Sequence, residues 1–218
     1  MTTRTDVAAP PPARPRRRRL ILAAVVVAVA AAMALDTTVI RMGSEQDVAA
    51  AGFSPEAFGA AEFPRVRDSI VARAVDAATL SAAVVADRAA AATQYGVPAG
   101  IGAVIPVSFT GVVGEGRSGV YNVAVDGLAG ETGIRVQTGP AINGTDLRDA
   151  TGDIAFGDFK NQIEYQNAGA AINNAMKAEV LAGVDAAALE GRTISVIGAF
   201  TLVNPKNWLV TPVEITVQ

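Results

Sequence analysis

The chain has 218 residues, 50% of them hydrophobic, and its net charge of −3 is the sum of +5 over residues 1–35 (six Arg, one Asp) and −8 over the rest (twelve basic, twenty acidic). Cysteine and histidine are both absent, which excludes cysteine nucleophiles, Ser-His-Asp triads, disulfides and the usual zinc ligands. The acidic body repels phosphate backbones, so nucleic acid is not an expected partner. No cofactor and no metal site is expected.

The first forty residues combine a basic segment with an apolar one. Residues 1–19, rich in proline and arginine, predict a disordered cytoplasmic tail. Residues 20–40 contain an uncharged apolar run from Leu20 to Leu35. This run is longer than a typical signal-peptide core, about 7–15 residues, and shorter than the roughly twenty residues of a bilayer-spanning helix. Because Arg16 to Arg19 stay on the cytoplasmic side, everything after the run is expected outside the cytoplasm.

Two fates of the apolar run stay open. Ala32-Met33-Ala34 has the small-x-small form of a cleavage site, and cleavage would give a secreted form. Retention would give a single-span anchor, through which the chain contacts the membrane. We favour retention, because alanine- and valine-rich runs form such triplets by chance. Lipid attachment is excluded, because the chain has no cysteine to be acylated.

Residues 41–98 are predicted to form a helical region. Ser54-Pro55-Glu56 has the N-cap-then-proline order of a helix start, which predicts a short helix to about Ala61. Pro64 is predicted to open a longer helical stretch to about Thr93, with apolar residues repeating at helical spacing.

Residues 99–218 change to the period-two pattern of β-strands. Strands are predicted at 104–111, 121–125 and 134–137, followed by a polar loop at 139–157. A helix is predicted to begin near Phe159, with Asp158 as its cap. Two strands separated by the turn at residues 204–207 close the chain.

The order of three strands, one helix and two strands is that of the OB-fold. The predicted fold class is therefore α+β: an N-terminal membrane helix, a helical region, then a five-stranded OB-fold-like barrel (β-β-β-α-β-β). An open α+β sheet with the helix on one face remains the alternative. The barrel is favoured because a small closed sheet leaves few exposed edges.

Three long stretches carry a family resemblance: FSPEAFGAAEFPRVRDSIVARAVDAATL, GPAINGTDLRDATGDIAFGDFKNQIEYQNAGAAINNAMKAEVL and GRTISVIGAFTLVNPKNWLVTPVEI. The chain resembles, from about Asp36 to Gln218, an uncharacterised bacterial family of predicted periplasmic lipoproteins. The resemblance implies an OB-like fold, a cell-envelope location, and for some members genes beside those of sugar ABC transporters. It implies no activity. The chain departs from the family in lacking the lipid-bearing cysteine, which leaves the apolar run as its anchor. Retention of the apolar run would place the chain at the inner membrane.

Candidate ligand-binding residues fall into two groups. OB-folds commonly bind on the face of strands two and three, which here indicates Arg117, Tyr121, Arg135 and Trp208. Each has a structural alternative: Arg117 as a solvated charge, Tyr121 and Trp208 as packing residues, and Arg135 as the partner of a carboxylate.

The second group lies in the polar loop AsnGlyThrAspLeuArgAsp at 143–149. Asp146, Arg148 and Asp149 could hydrogen-bond the hydroxyls of a sugar, or could instead stabilise the loop itself. Their spacing does not match a calcium loop. No nucleophile accompanies the carboxylates, so no catalytic residue and no enzymatic activity is expected.

These observations predict an extracytoplasmic accessory or interaction protein tethered to the membrane, with an ABC transporter component as the candidate partner. The alternative is a small-molecule, sugar-like binding module that uses the OB face.

Overall fold

The computed structural model describes residues 25–29 and 52–218. Residues 25–29 are helical; the rest of the predicted tail and anchor, together with residues 41–51, lies outside the described residues. Across 25–29 and 52–218, none of the helices has the length and apolar character that crossing a bilayer requires. The chain forms two units, Met1–Gly52 and Phe53–Gln218, and all that follows concerns the second.

The first helix of this unit, α1, spans Pro55–Arg73. The Ser54 hydroxyl caps it by accepting the Ala57 N–H at 3.5 Å. The predicted helix end at Ala61 and new start at Pro64 are wrong, because α1 continues through Pro64. The buried face extends on both sides of that proline: Gly59, Phe63, Val66 and Ile70. Burial of this stripe offsets the backbone hydrogen bond that proline removes.

Two shorter helices and two short strands follow α1. They are β1 (Val75–Asp76), α2 (Ala77–Ala86), α3 (Arg88–Tyr95) and β2 (Val97–Ala99). The continuous helical stretch predicted to Thr93 is therefore interrupted by β1 and again at Asp87. The Asp87 carboxylate accepts the N–H groups of Ala89 and Ala90 at 2.8 and 3.0 Å, and so begins α3 as a new helix.

Five longer strands pair in a closed ring. They are β3 (Gly102–Arg117), β4 (Val120–Ala124), β5 (Gly133–Gln137), β6 (Thr193–Thr201) and β7 (Asn207–Val217). β3 pairs with β4 and, at its other edge, with β6; β4 pairs with β5, β5 with β7, and β7 with β6. Only the β5–β7 contact is parallel among these five pairings. The small strands β1 and β2 add to β3.

The segment between β5 and β6 holds the helix expected at this place. It contains the single-turn helix α4 (Asp146–Asp149), α5 (Gln162–Met176) and a π-helical turn at Lys177–Leu181. The helix begins later than predicted, because Asn161 caps α5 by accepting the Glu164 N–H at 2.9 Å. Asp158, the predicted cap, instead accepts the Ala155 N–H at 2.9 Å.

Apolar side chains form two cores. The first joins the ring strands to α2 and α3, and includes Leu80, Val84, Ile105, Val107, Phe109, Val136, Val196, Phe200 and Trp208. The second joins α1, α4 and α5 to β3, β6 and β7, and includes Phe63, Val66, Ile70, Val104, Leu147, Ile172, Met176, Ala199 and Val213. The helix between the third and fourth ring strands thus packs with α1, while α2 contributes to the core of the ring.

Candidate functional site

Two of the predicted OB-face residues belong to the first core. The Trp208 indole is fully buried, stacks on Phe200 with ring centroids 4.6 Å apart, and donates its Nε1–H to the Pro205 carbonyl at 3.1 Å. The Tyr121 ring packs against the same core, and its hydroxyl donates to the Ala186 carbonyl at 2.7 Å. Both side chains are committed to packing in this structure.

The two predicted arginines lie together in a different place. Arg117 and Arg135 line an open cleft of about 310 Å³, with Glu115 and Asn122 beside them. The cleft lies on the face of β4 that carries Asn122, which pairs directly with Arg135. Arg135 Nε donates to the Asn207 side-chain oxygen at 2.9 Å, so its guanidinium is held in place. Tyr121 is on the opposite face of β4, because side chains alternate along a strand.

Asp146 begins α4 and turns its carboxylate towards the ends of two ring strands. It accepts hydrogen bonds from the hydroxyl of Thr201 on β6 and, at 3.4 Å, from that of Thr211 on β7. The Thr211 hydroxyl in turn accepts an N–H of Gln137 at 2.9 Å, and the Gln137 side-chain oxygen accepts the Asn143 N–H at 3.1 Å. The loop is thereby fixed to β5, β6 and β7 by a continuous polar network.

Burial raises the pKa of Asp146 above its ordinary value of 3.8, and the neighbouring Asp149 carboxylate raises it further. The hydrogen bonds from Thr201 and Thr211 favour the charged form and oppose this shift without cancelling it. Asp146 is therefore a carboxyl group that holds its proton to higher pH than an exposed aspartate does.

Arg148 and Asp149 form a buried ion pair next to this network. Arg148 Nε and Nη2 donate to the two carboxylate oxygens of Asp149 at 2.7 and 3.1 Å, and Nη1 donates to the Tyr165 carbonyl at 3.2 Å. The guanidinium also lies over the Tyr165 ring, 3.7 Å from its centroid. The Thr145 hydroxyl donates to Asp149 at 2.6 Å. Asp146, Arg148 and Asp149 are thus brought together, each engaged by partners within the domain.

A cleft of about 670 Å³ opens beside the polar network. Asp146, Arg148 and Asp149 line it, together with the exposed side chains of Ile101 and Val203. No buried side-chain nitrogen or oxygen of residues 25–29 and 52–218 lacks a hydrogen-bond partner. On this wall, Asp146, Arg148 and Asp149 each have hydrogen-bond partners within the domain.

A groove of about 700 Å³ lies between α1 and α5. Its exposed alanines are Ala60, Ala170 and Ala178, and Glu56 and Glu179 also line it. The helices approach closely beneath it, where a Cβ on Gly59 would overlap the carbonyl of Ala171. The groove is lined mainly by alanines of α1, α5 and the π-helical turn, with two glutamates and two asparagines among them.

Sequence reasoning did not identify Gln137, Thr201 and Thr211 as members of the network, nor the α1–α5 groove. One available signal was Gln137, a polar residue at the end of a strand whose apolar positions Ile134 and Val136 are buried. The sequence carries no local signal for the groove, because the groove depends on which faces of two helices meet in the folded chain. Within the described residues there is also no group of three or more acidic side chains placed to hold a metal ion.

A ring of five paired strands with a helix inserted between the third and fourth defines an OB-like domain, here extended by N-terminal helices. The chain matches, over residues 23–216, the model of the family described as "Predicted periplasmic lipoprotein (DUF2291)", and it belongs to that family. It is therefore an extracytoplasmic protein of the cell envelope.

Among solved structures, the crystal structure of an OB-fold protein from Thermotoga maritima is similar to this chain, with a TM-score of 0.59 and 18% sequence identity. The alignment covers 77% of this chain and 99% of that one, and it supports the OB-type fold. No curated protein matches the chain.

Proposed function

We propose that the protein is a non-enzymatic accessory protein of the cell envelope, retained in the inner membrane by a single span within residues 20–40. Its OB-like domain would act in the periplasm as an interaction module for an integral membrane partner. Confinement to the plane of the membrane raises the effective concentration of such a domain for a membrane partner.

The observation that carries this proposal is a contrast between two parts of the domain: the polar loop at 143–149 and the groove between α1 and α5. The residues that could have bound a small ligand in the 143–149 loop are engaged inside the domain, whereas the α1–α5 groove offers exposed alanines. A groove of small residues lets a partner helix approach closely. Glu56 and Glu179 favour a partner segment that combines an apolar face with basic residues.

The partner proposed is a component of an ABC transporter. This choice is supported by the family resemblance, which implies neighbouring genes for sugar ABC transporters in some members, and by the location of the family in the envelope. The residues of the groove do not themselves name a transporter.

A cross-linking pull-down tests the proposal. Because the chain has no cysteine, a thiol-reactive photo-cross-linker can be attached at a single position. Ala170→Cys places it in the groove, and Ala82→Cys places it on an exposed position of α2. We expect a cross-link to one transporter component from position 170 and none from position 82. Equal, unspecific labelling from both positions in native membranes would contradict the groove as an interface.

Substitution gives a second, independent measurement. Ala170→Trp fills the groove, and Ala82→Trp adds the same bulk elsewhere on the surface. We expect the first to reduce recovery of the partner at least tenfold and the second to leave it unchanged, with equal melting temperatures. Retention of the span is checked in parallel: the chain should stay in the membrane fraction at its full 22.2 kDa, whereas cleavage would release a shorter form.

A second candidate function is binding of a sugar-like ligand on the OB face. It is favoured by the cleft in which Arg117 and Arg135 lie with Asn122, since guanidinium and amide N–H groups hydrogen-bond sugar hydroxyls. A thermal-shift screen of sugars and related metabolites tests it. A ligand that raises Tm of the wild type but not of Arg135→Met would support the OB face; a flat screen would count against it.

A further inference from the structure

A row of aromatic rings lies where the chain enters its compact unit. Phe53, the first residue of that unit, contacts Phe58 and Phe159 with ring centroids 5.4 and 5.5 Å apart. Phe159 contacts Tyr165 at 5.4 Å, and Tyr165 contacts Phe156 at 5.6 Å. These five side chains form the aromatic row, which joins the start of α1 to the segment before α5.

The far end of the aromatic row is open to solvent. Phe156 is 54% exposed and Ile163 is 69% exposed. Between them Lys160 is exposed as well. Segments that lie in the membrane interface combine exposed aromatic and aliphatic side chains with lysine or arginine, and this segment carries one of each kind.

The acidic residues of the same segment are turned towards the backbone. Asp158 accepts the Ala155 N–H at 2.9 Å, and Glu164 accepts the Lys160 N–H at 2.9 Å. Each carboxylate accepts one backbone N–H but keeps its charge. Residues 156–164 hold two acidic residues and one basic residue, a net charge of −1, so the contact proposed below depends on the apolar side chains and not on attraction to anionic lipid.

The position of Phe53 limits how far this surface can lie from the bilayer. Only residues 41–52 separate it from the end of the proposed span at Ile40. An extended chain covers about 3.3–3.6 Å per residue, so these twelve residues reach at most about 40 Å. Phe53, at one end of the aromatic row, therefore lies no farther than this from the end of the proposed span.

We propose that residues 156–163 rest on the periplasmic surface of the membrane, with Phe156 and Ile163 among the lipid headgroups and Lys160 at the phosphates. This inference rests on the proposed span within residues 20–40. Contact of this segment with lipid fixes one end of the domain and leaves a defined set of surfaces available to a membrane partner.

Site-specific fluorescence tests the contact in the full-length chain. The absence of native cysteine allows unique labelling of Phe156→Cys with the environment-sensitive dye NBD, and Val85→Cys, at a side chain 60% exposed on α2, is the matched control. The protein is reconstituted in vesicles of phosphatidylethanolamine and phosphatidylglycerol, with or without a spin-labelled quenching lipid. We expect a blue-shifted emission at position 156 and quenching at least threefold stronger than at position 85.

A second labelled position controls for the loss of the Phe156 ring from the aromatic row. Ile163→Cys changes an exposed side chain that is not part of the aromatic row, and it should report the same lipid environment as position 156. Aqueous emission at 156 and 163 in protein that floats with the vesicles would overturn the lipid contact while leaving the tether intact. Failure of the full-length chain to float with vesicles would overturn the tether itself, and this inference with it.

Discussion

Replacing Arg148 with alanine should destabilise the exported unit by about 3 kcal/mol, a value taken from the lower end of what buried ion pairs cost to break. The Arg148 side chain is 8% exposed and that of Asp149 is 17% exposed. The substitution removes both hydrogen bonds to Asp149, the hydrogen bond to the Tyr165 carbonyl and the contact with the Tyr165 ring. What remains is a largely buried carboxylate with a single side-chain donor, the Thr145 hydroxyl.

The magnitude follows from two known costs. Breaking a buried ion pair by removing one partner costs about 3–5 kcal/mol, and loss of a cation–π contact costs about 0.5–2 kcal/mol. Water can reach Asp149 in part, and the Thr145 hydroxyl still solvates it, so the lower part of this range applies.

Urea unfolding followed by tryptophan fluorescence measures the effect. Trp208 is the only tryptophan and is fully buried, so its emission changes when the chain unfolds. With a slope of about 2 kcal/mol per molar urea, a loss of about 3 kcal/mol moves the midpoint by about 1.5 M. Arg67→Ala is the control, since its pair with Glu179 is long at 3.5 Å and its side chain is 32% exposed; it should cost less than about 1 kcal/mol. The reasoning is refuted if the two variants unfold at the same urea concentration.

Three further predictions concern a titrating group, a turn and a helix cap. Because the pKa of Asp146 is raised in the folded state, its contribution to stability is fully present below pH 3.8 and is lost as pH rises through the folded pKa. Asp146→Asn stays neutral, so urea titrations across pH 4–8 should show the stability of the variant increasing relative to that of the wild type as pH rises. If the two plots of stability against pH are parallel, burial is not the cause of the shift. Gly119→Ala should lower the free energy of unfolding by about 3 kcal/mol or more, since the φ of Gly119 is +76° and a Cβ would overlap the Gly139 carbonyl. Gly100→Ala, at φ +36° in open space, should lower it by only about 1 kcal/mol in the same urea titrations. Asp87→Ala removes the cap of α3 and should lower the free energy of unfolding by about 1 kcal/mol, with Asp87→Asn retaining most of it.

Local patterns in the sequence predicted all five ring strands, although β3 continues six residues beyond the predicted end at 111. Residues 134–137 were identified within one residue of β5, because a buried strand end is bounded by a glycine-rich turn on one side and a polar loop on the other. The order of three strands, a helix and two strands is confirmed for the same reason: each element is recognisable from its own periodicity.

Tertiary contacts account for what the sequence did not predict. Pro64 is a strong local signal for a helix start, yet Phe63 and Val66 on either side of it share one buried face, and this packing keeps α1 continuous. Trp208 and Tyr121 were placed on a ligand-binding face from the general OB pattern, but their ring faces are buried against neighbours that only the fold brings together. Asp146 hydrogen-bonds Thr201 and Thr211, which lie 55 and 65 residues away in the sequence, so only the folded chain brings these groups together.

The contact between α1 and α5 also has a consequence for biogenesis. Translocation of the residues that follow the proposed span, in chain order, delivers α1 first, while α5 follows only after β3, β4 and β5 have been translocated. During that interval the face of α1 that carries Phe63, Val66 and Ile70 lacks its native contacts with α5. Periplasmic chaperones should therefore engage the nascent α1, and a substitution that weakens its face, such as Val66→Ser, should lower the yield of folded protein in the cell more than its equilibrium stability alone accounts for.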